Sequence, residues 1–248
     1  TAEMSWGLAR VLRVLSEDAT VRACVITGQG PAFCAGGDVG GFPVKGQLGA
    51  QTDGRTQPDG GARDTPVYRP ARGEVYPAAA IRDCPFPVIA AVNGPAAGAG
   101  FSLALACDLS VADPTARFGA LQVTRGLVAD WALAWLLVRR IGVSRAQDLI
   151  WSGRWLSAED ALHLGLVNRL SAPGAALDEA LTWAAELAKG PAVAISLMKR
   201  QAQRALEMSL EQALELDSLM QARAFTTSDA AEGARAFRER RQPEFGGS

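Results

Sequence analysis

The stretch Phe86-Pro87-Val88-Ile89-Ala90-Ala91-Val92 runs into Asn93-Gly94-Pro95-Ala96-Ala97-Gly98-Ala99-Gly100, and then into Phe101-Ser102-Leu103-Ala104-Leu105-Ala106-Cys107. The first part is apolar throughout, which predicts a strand buried on both faces, as in a parallel sheet. The middle is small and turn-forming, and a helix should follow it. Asp108 to Ala112 then reads as a short strand. Upstream, Val21 to Thr27 is rich in β-branched residues and reads as another buried strand. It leads through the turn Gly28-Gln29-Gly30-Pro31 into the small, permissive run Phe33-Cys34-Ala35-Gly36-Gly37-Asp38. Strands alternating with helices predict an α/β fold with crossover connections.

Working outward, apolar spacing predicts a helix over 5–16 with Ser5 as its cap, and further helices over 70–82, 131–141 and 144–150. Ser157-Ala158-Glu159-Asp160 has the pattern of a capping box with Asp in place of Glu, and opens a helix that Gly165 ends. Residues 167–170 read as a short strand or turn. From 176 the chain is mostly helical, with one break at Gly190-Pro191. The expected organisation is an α/β core over 1–174 and a helical region over 175–248. Residues 40–66, rich in Gly, Gln, Asp, Thr and Pro, read as a long surface loop. A lid or binding-site wall and a functionless insertion are equally compatible with it.

Composition excludes several classes. The 248 residues are 48% hydrophobic and carry a net charge of -1, so no global field favours nucleic acid or an acidic membrane surface. No signal segment and no membrane-spanning run is evident. Cys24, Cys34, Cys84 and Cys107 show no C-x-x-C spacing and read as buried thiols in a reducing compartment, so a cytoplasmic location is expected. With dispersed cysteines and His163 as the single histidine, a transition-metal site and a Ser-His-Asp triad lack material. No metal or redox cofactor is expected, and neither a nucleic-acid nor a membrane partner.

Two small-residue turns carry the chemistry. Ala35-Gly36-Gly37-Asp38 follows one strand, and Gly98-Ala99-Gly100 lies between another strand and a helix. Glycine lets backbone approach a ligand, and a helix N-terminus offers unpaired N–H donors. If the turns face each other, the N–H groups of Gly37 and Ala99 can donate to one carbonyl oxygen, forming an oxyanion hole suited to a thioester enolate. The spacing does not match a Rossmann glycine motif, a P-loop or a Gly-x-Ser-x-Gly elbow. Tight turns with close helix packing explain the glycines equally well.

The chain resembles the enoyl-CoA hydratase/isomerase family, also called the crotonase family. The resemblance rests on Ala32 to Asp38, Pro87 to Gly94, Ala97 to Asp108, Ala116 to Gly119, Ser157 to Ala161, Gly165 to Val167, Ser228 to Gly233 and Ala236-Phe237. It covers nearly the whole chain in order. It implies a ClpP/crotonase-like spiral of repeated β-β-α units, with a helical C-terminal region that forms trimers and covers the active site. It also implies a homotrimer or a dimer of trimers. The substrate would be an acyl-CoA or enoyl-CoA thioester, with coenzyme A as its carrier part. Gly37 and Ala99 would be the oxyanion donors, and Ala35, Gly36, Gly37 and Asp38 would lie along coenzyme A. Lys199 with Arg200, and the run Arg238 to Arg241, are candidate partners for its phosphates, or else solvated helix faces. Similar chains begin with two further strands, so a truncated N-terminus or a different sheet edge is expected.

The family pattern also bears on the reaction. Ser102 and Gln122 occupy the places of the two glutamates that activate water in hydratases, and neither is a general base near neutral pH. Asp130 remains. It resembles the aspartate of the ring-epoxide and enoyl-CoA isomerase subgroup, in which one carboxylate carries a proton between carbons near the thioester. Leu127, Val128, Trp131 and Trp135 would surround it with apolar surface and make it a stronger base. As the residue before a helix it also fits an N-cap. Related isomerases carry Pro before this aspartate and Gly-Gly after it, where this chain has Ala129 and Ala132-Leu133. The expected activity is enoyl-CoA isomerisation through Asp130. The alternatives are a hydratase or hydrolase with a different water-activating arrangement, or a catalytically impaired acyl-CoA binder.

Overall fold

The computed structural model describes residues 2–37 and 76–247. The loop expected at 40–66, Asp38 and the first residues of the helix expected over 70–82 lie outside the described residues. In chain order the elements are α1 (Ala2–Glu17), β1 (Cys24–Thr27), α2 (Pro77–Asp83), β2 (Val88–Val92), β3 (Ala96–Ala97), α3 (Ala99–Ala106), β4 (Leu109–Ala112), β5 (Arg117–Gly119), α4 (Leu133–Ser152), β6 (Trp155–Ser157), α5 (Ala158–His163), β7 (Arg169–Leu170), α6 (Ala176–Ala188), α7 (Ala192–Arg204), α8 (Leu210–Phe225) and α9 (Ser228–Glu239). Short 3-10 turns lie at Leu121–Arg125 and Ala205–Glu207.

The strands form two sheets. One has the order β1-β2-β4-β7, parallel throughout, with Cys24 opposite Val88, Ile89 opposite Leu109 and Val111 opposite Arg169. The other has the order β3-β5-β6, with β3 and β5 parallel and β6 antiparallel to β5. The chain climbs them as a spiral. β2 lies in the first sheet, β3 in the second, and α3 returns; β4 and β5 then repeat the pattern before α4. Cys34 forms a parallel bridge with Ala96, so β1, Cys34 and α2 make an earlier turn of the same spiral.

Every residue of β2 is fully buried, as its unbroken apolar sequence predicts. Val88, Ile89 and Val92 each contribute about 1.5–3 kcal/mol by leaving water. α3 packs between the sheet and α4, with the Phe101 and Phe118 rings 5.4 Å apart between centroids. α6 lies on the other face of the first sheet, where Ala180 and Ala184 meet Ile89, Ala91 and Val111. Asn93, at the end of β2, fixes the preceding spiral turn. Its side chain accepts from Gly28 N–H at 3.1 Å and donates to the carbonyls of Gly28 and Gly30 at 3.2 and 2.9 Å.

Local differences from expectation have physical causes. α1 begins before Ser5, which is 3% exposed inside the helix and so does not cap it. α2 begins at Pro77, whose missing N–H costs nothing at the first helical position. The helices expected over 131–141 and 144–150 are one element kinked at Gly142, where φ is 77°. Ser157 does cap α5, accepting from Asp160 N–H at 3.1 Å. A full capping box, Ser209 with Gln212, opens α8 and escaped the sequence reading. Among the described residues no helix is long and apolar enough to cross a membrane.

Candidate active site

The two small-residue turns meet. Phe33 and Cys34 N–H both donate to Pro95 carbonyl oxygen at 3.1 and 3.2 Å, and Ala97 N–H donates to Cys34 oxygen at 2.9 Å. Side chains would prevent this approach. A β-carbon on Gly100 would sit 2.1 Å from Cys34 oxygen, and one on Gly36, where φ is +93°, would sit 2.8 Å from Ala97 oxygen. Gly98 turns the chain into α3 with φ of 54°. Ala99 is the first residue of α3, so its N–H has no acceptor within the helix and lies at the positive end of the helix dipole. Among the described residues neither Gly37 N–H nor Ala99 N–H donates a hydrogen bond. Both residues line a cleft of about 2280 Å³, as do Ala35 and Gly36.

Asp130 lines the same cleft. The residues at the two glutamate places both hold it. Gln122, 8% exposed on its 3-10 turn, donates from Nε2 to Asp130 Oδ1 at 2.9 Å. Ser102 donates to Asp130 carbonyl oxygen at 3.3 Å and lies 3.4 Å from Gly98 carbonyl oxygen. Leu133 N–H also reaches Asp130 carbonyl oxygen, at 2.9 Å. The carboxylate therefore does not cap α4; the backbone carbonyl does that work, and the N-cap residue is Ala132. The chain makes this turn with two consecutive left-handed residues, Trp131 (φ 53°) and Ala132 (φ 62°). Side chains disfavour that conformation by about 1–2 kcal/mol per residue.

The expected apolar enclosure of Asp130 is only partial within this chain: Leu127, Trp131 and Trp135 line its cleft, but Val128 does not. The carboxylate is exposed, Val128 is 82% exposed and Leu127 44%. Tyr76, which the sequence reading missed, stands ahead of α2 on the cleft wall. Burial pushes its hydroxyl above the ordinary tyrosine value, and the Asp130 charge adds to the shift. Among the described residues Gln122 Oε1 is buried without a hydrogen-bond partner.

Other candidate residues fall elsewhere. Lys199 borders the cleft, but its three donors are taken by Ile81 oxygen (2.8 Å), Phe86 oxygen (3.0 Å) and Asp108 Oδ2 (2.7 Å). A phosphate would have to displace that buried tie. Asp108 itself is pushed above the ordinary carboxylate value by burial, against the lowering effect of Lys199. His163 sits on α5 with Nδ1 2.9 Å from Glu159 oxygen, away from the cleft. Trp131 and Trp135 line the cleft; Trp151 is 68% exposed and Trp155 lies against Arg117. In the run Arg238 to Arg241, Arg241 is engaged with Glu232 and Glu239. All four cysteines are free, and burial raises the thiols of Cys24, Cys84 and Cys107, which makes them poor nucleophiles.

Comparison with known proteins gives a consistent picture. The family model described as enoyl-CoA hydratase/isomerase matches residues 1–248. The 1,2-epoxyphenylacetyl-CoA isomerase of Escherichia coli is 34% identical over 250 residues, covering 99% of this chain and 88% of that protein. The 2,3-dehydroadipyl-CoA hydratase of Escherichia coli is 31% identical over 240 residues, covering 97% and 87%. A crystal structure of an enoyl-CoA hydratase from Mycobacterium marinum superposes with a TM-score of 0.80 at 34% identity, covering 100% of this chain and 90% of that one. The α/β spiral with its C-terminal helices is thus the fold of these neighbours.

Proposed function

Since the chain belongs to the enoyl-CoA hydratase/isomerase family, we propose that it shifts the double bond of enoyl-CoA thioesters by proton transfer through Asp130. One observation carries this reading: Ser102 and Gln122, at the places of the water-activating glutamates, are both hydrogen-bonded to Asp130. Gln122 orients the Asp130 carboxylate and Ser102 ties its backbone carbonyl, so the site presents one supported carboxylate instead of two. Asp130 takes a proton from C2 of a 3-enoyl thioester. The C2–H electron pair moves into C1–C2 as the carbonyl pair moves onto oxygen, and the intact C3=C4 bond conjugates with the enolate; on reprotonation the C1=C2 pair shifts to C2–C3 and the carbonyl re-forms. The dienolate oxygen is held by Gly37 and Ala99 N–H. Protonation at C4 by the same carboxylate then leaves the 2-enoyl thioester, with no net change in atoms or electrons. This chemistry needs no metal or redox group, and coenzyme A is the handle of the substrate. Working as a homotrimer or a dimer of trimers accords with the apolar side chains left exposed on the C-terminal helices, such as Leu214, Leu219 and Phe237.

A second reading, hydration, is favoured by two observations. Hydratase names predominate among the relatives. Gln122 Oε1, buried and without a partner among the described residues, also offers an acceptor for a water O–H beside Asp130. Turnover of a 3-enoyl-CoA in ¹⁸O-labelled water separates the two. Isomerisation turns the 3-enoyl thioester into unlabelled 2-enoyl-CoA, whereas no turnover of it, together with labelled 3-hydroxyacyl-CoA formed from a 2-enoyl-CoA, would overturn the isomerase reading. Turnover by Asp130→Asn at the wild-type rate would remove Asp130 from either.

A further inference from the structure

Residues of α2 and of α4 both line the cleft that holds Asp130. At the start of α2, Tyr76 feels the charge of Asp130 just ahead of α4. In the last turn of α2, Arg82 meets Trp135 of α4, its guanidinium carbon 4.9 Å from the ring centroid. Six residues of helix place Arg82 about 9 Å along the axis from Tyr76. Arg139, one turn further along α4, lies against the same indole at 3.6 Å. Arg82, Trp135 and Arg139 line the cleft that also holds Gly37, Ala99 and Asp130.

The charges at this end do not balance. One Nη of Arg139 pairs with Glu207 at 2.9 Å, while its Nε is buried without a partner among the described residues. The half-buried Arg82 donates only to Gln203 carbonyl oxygen, at 3.5 Å, and has no carboxylate partner among the described residues. Asp83, its neighbour in sequence, is exposed and does not line the cleft. Stacking on an indole offsets part of the cost of drying a guanidinium but leaves its charge unmatched. An anion at this point would match it, and a carboxylate fits the planar fork of donors.

We propose that this end of the cleft recognises an acyl group terminating in a carboxylate, with Arg82 as its ion-pair partner and Arg139 Nε as a further donor. The inference rests on reading the cleft as an acyl-CoA site, and it names the substrate class of that site. The distance along α2 leaves room for a chain of several methylenes between the thioester and the guanidinium, against Trp135, Leu136 and Leu206. The shared chemistry is anion recognition, so the test must separate an acyl carboxylate from the phosphates of coenzyme A.

Calorimetry with saturated thioesters reads binding without chemistry at Asp130. The coenzyme A thioesters of adipic and hexanoic acid are titrated in parallel, with free coenzyme A as the third arm. Wild type should bind the adipic thioester at least about tenfold tighter than the hexanoic one. Arg82→Met should reduce that ratio to near unity, and Arg82→Lys should keep part of it, in variants whose melting shows them folded. Equal affinities in wild type, or a ratio that survives Arg82→Met, overturns the proposal. An equal loss of affinity for all three ligands in Arg82→Met assigns Arg82 to the phosphates and also overturns it. Binding of none of them by wild type would sink the acyl-CoA reading itself, an outcome distinct from the others.

Discussion

The two halves of the candidate site are built from different material. The paired turns at Gly36–Gly37 and Gly98–Ala99 present backbone amides, fixed by a hydrogen-bonded bridge from Cys34 to Ala97 and by Gly36 and Gly100, where a β-carbon would clash with backbone oxygens. The Asp130 arm presents a side chain, held by Gln122, on a segment whose backbone Ser102 ties and which bends through two left-handed residues. A backbone donor survives most substitutions, because every residue type carries the same N–H. A side-chain base is changed by a single one. The comparison teaches where a fold of this kind keeps its chemistry constant and where it changes it. Oxyanion stabilisation belongs to the spiral itself, while proton handling belongs to whichever carboxylates the surrounding turns present.

The predictions follow from that contrast, the largest first. Asp130→Asn keeps the hydrogen-bonding shape but removes the base, and should lower double-bond migration by roughly 10²–10⁴-fold. Steady-state assays on 3-enoyl-CoA substrates measure it, and a loss below tenfold would make the two halves unequal partners. Gly100→Ala probes the backbone half. Its β-carbon would meet Cys34 oxygen at 2.1 Å. The bridge must open, at a cost of about 1–3 kcal/mol in urea unfolding, with a matching loss of activity. Full stability and activity would mean that the close approach is not needed.

Ala132→Gly sharpens the other side. Relief of a left-handed alanine, less the entropy of glycine, should raise stability by about 0.5–1 kcal/mol, or about 1–4 °C in Tm. A fall in Tm would show that the bend is not strained. The smallest effect lies outside the site and serves as its control. Arg241 and Arg235 beside Glu232, with Glu244 N–H, hold its carboxyl well below the ordinary value of 4.5. The unfolded chain therefore takes up this proton first as pH falls. The stabilisation is complete above about pH 4.5 and is lost progressively below it. Glu232→Gln should flatten that part of the stability–pH curve, measured by urea midpoints from pH 6 to pH 3, while the pH profile of turnover keeps its shape.

Much of this was legible in the sequence, and the reasons are local. An apolar run such as Val88 to Val92 has no stable place except between two buried faces, and small residues after a strand mark where backbone meets backbone. Those signals identified both turns before their convergence was visible. The Asp130 arm was only half legible. Its position could be read, but its support could not, because the bonds from Gln122 and Ser102 span 8 and 28 residues. The apolar enclosure expected around it formed only in part, with Val128 left exposed, and nothing in Trp131 or Ala132 as residue types announces the positive φ at which both sit. Lys199 was misleading for a similar reason. A lysine at the end of an apolar helical stretch looks like a solvated charge or a phosphate partner, yet three acceptors from Ile81, Phe86 and Asp108 converge on it only in the folded chain. Arg82 and Arg139 gave no local signal at all, since their meeting point on Trp135 depends on how α2 and α4 flank the cleft.

A crystal structure of the protein with a non-reactive acyl-CoA thioester bound tests the central claim most directly. The account predicts the thioester carbonyl oxygen within hydrogen-bond distance, about 2.7–3.1 Å, of both Gly37 N and Ala99 N. An oxygen bound elsewhere in the cleft, with both amides turned to water, would contradict it.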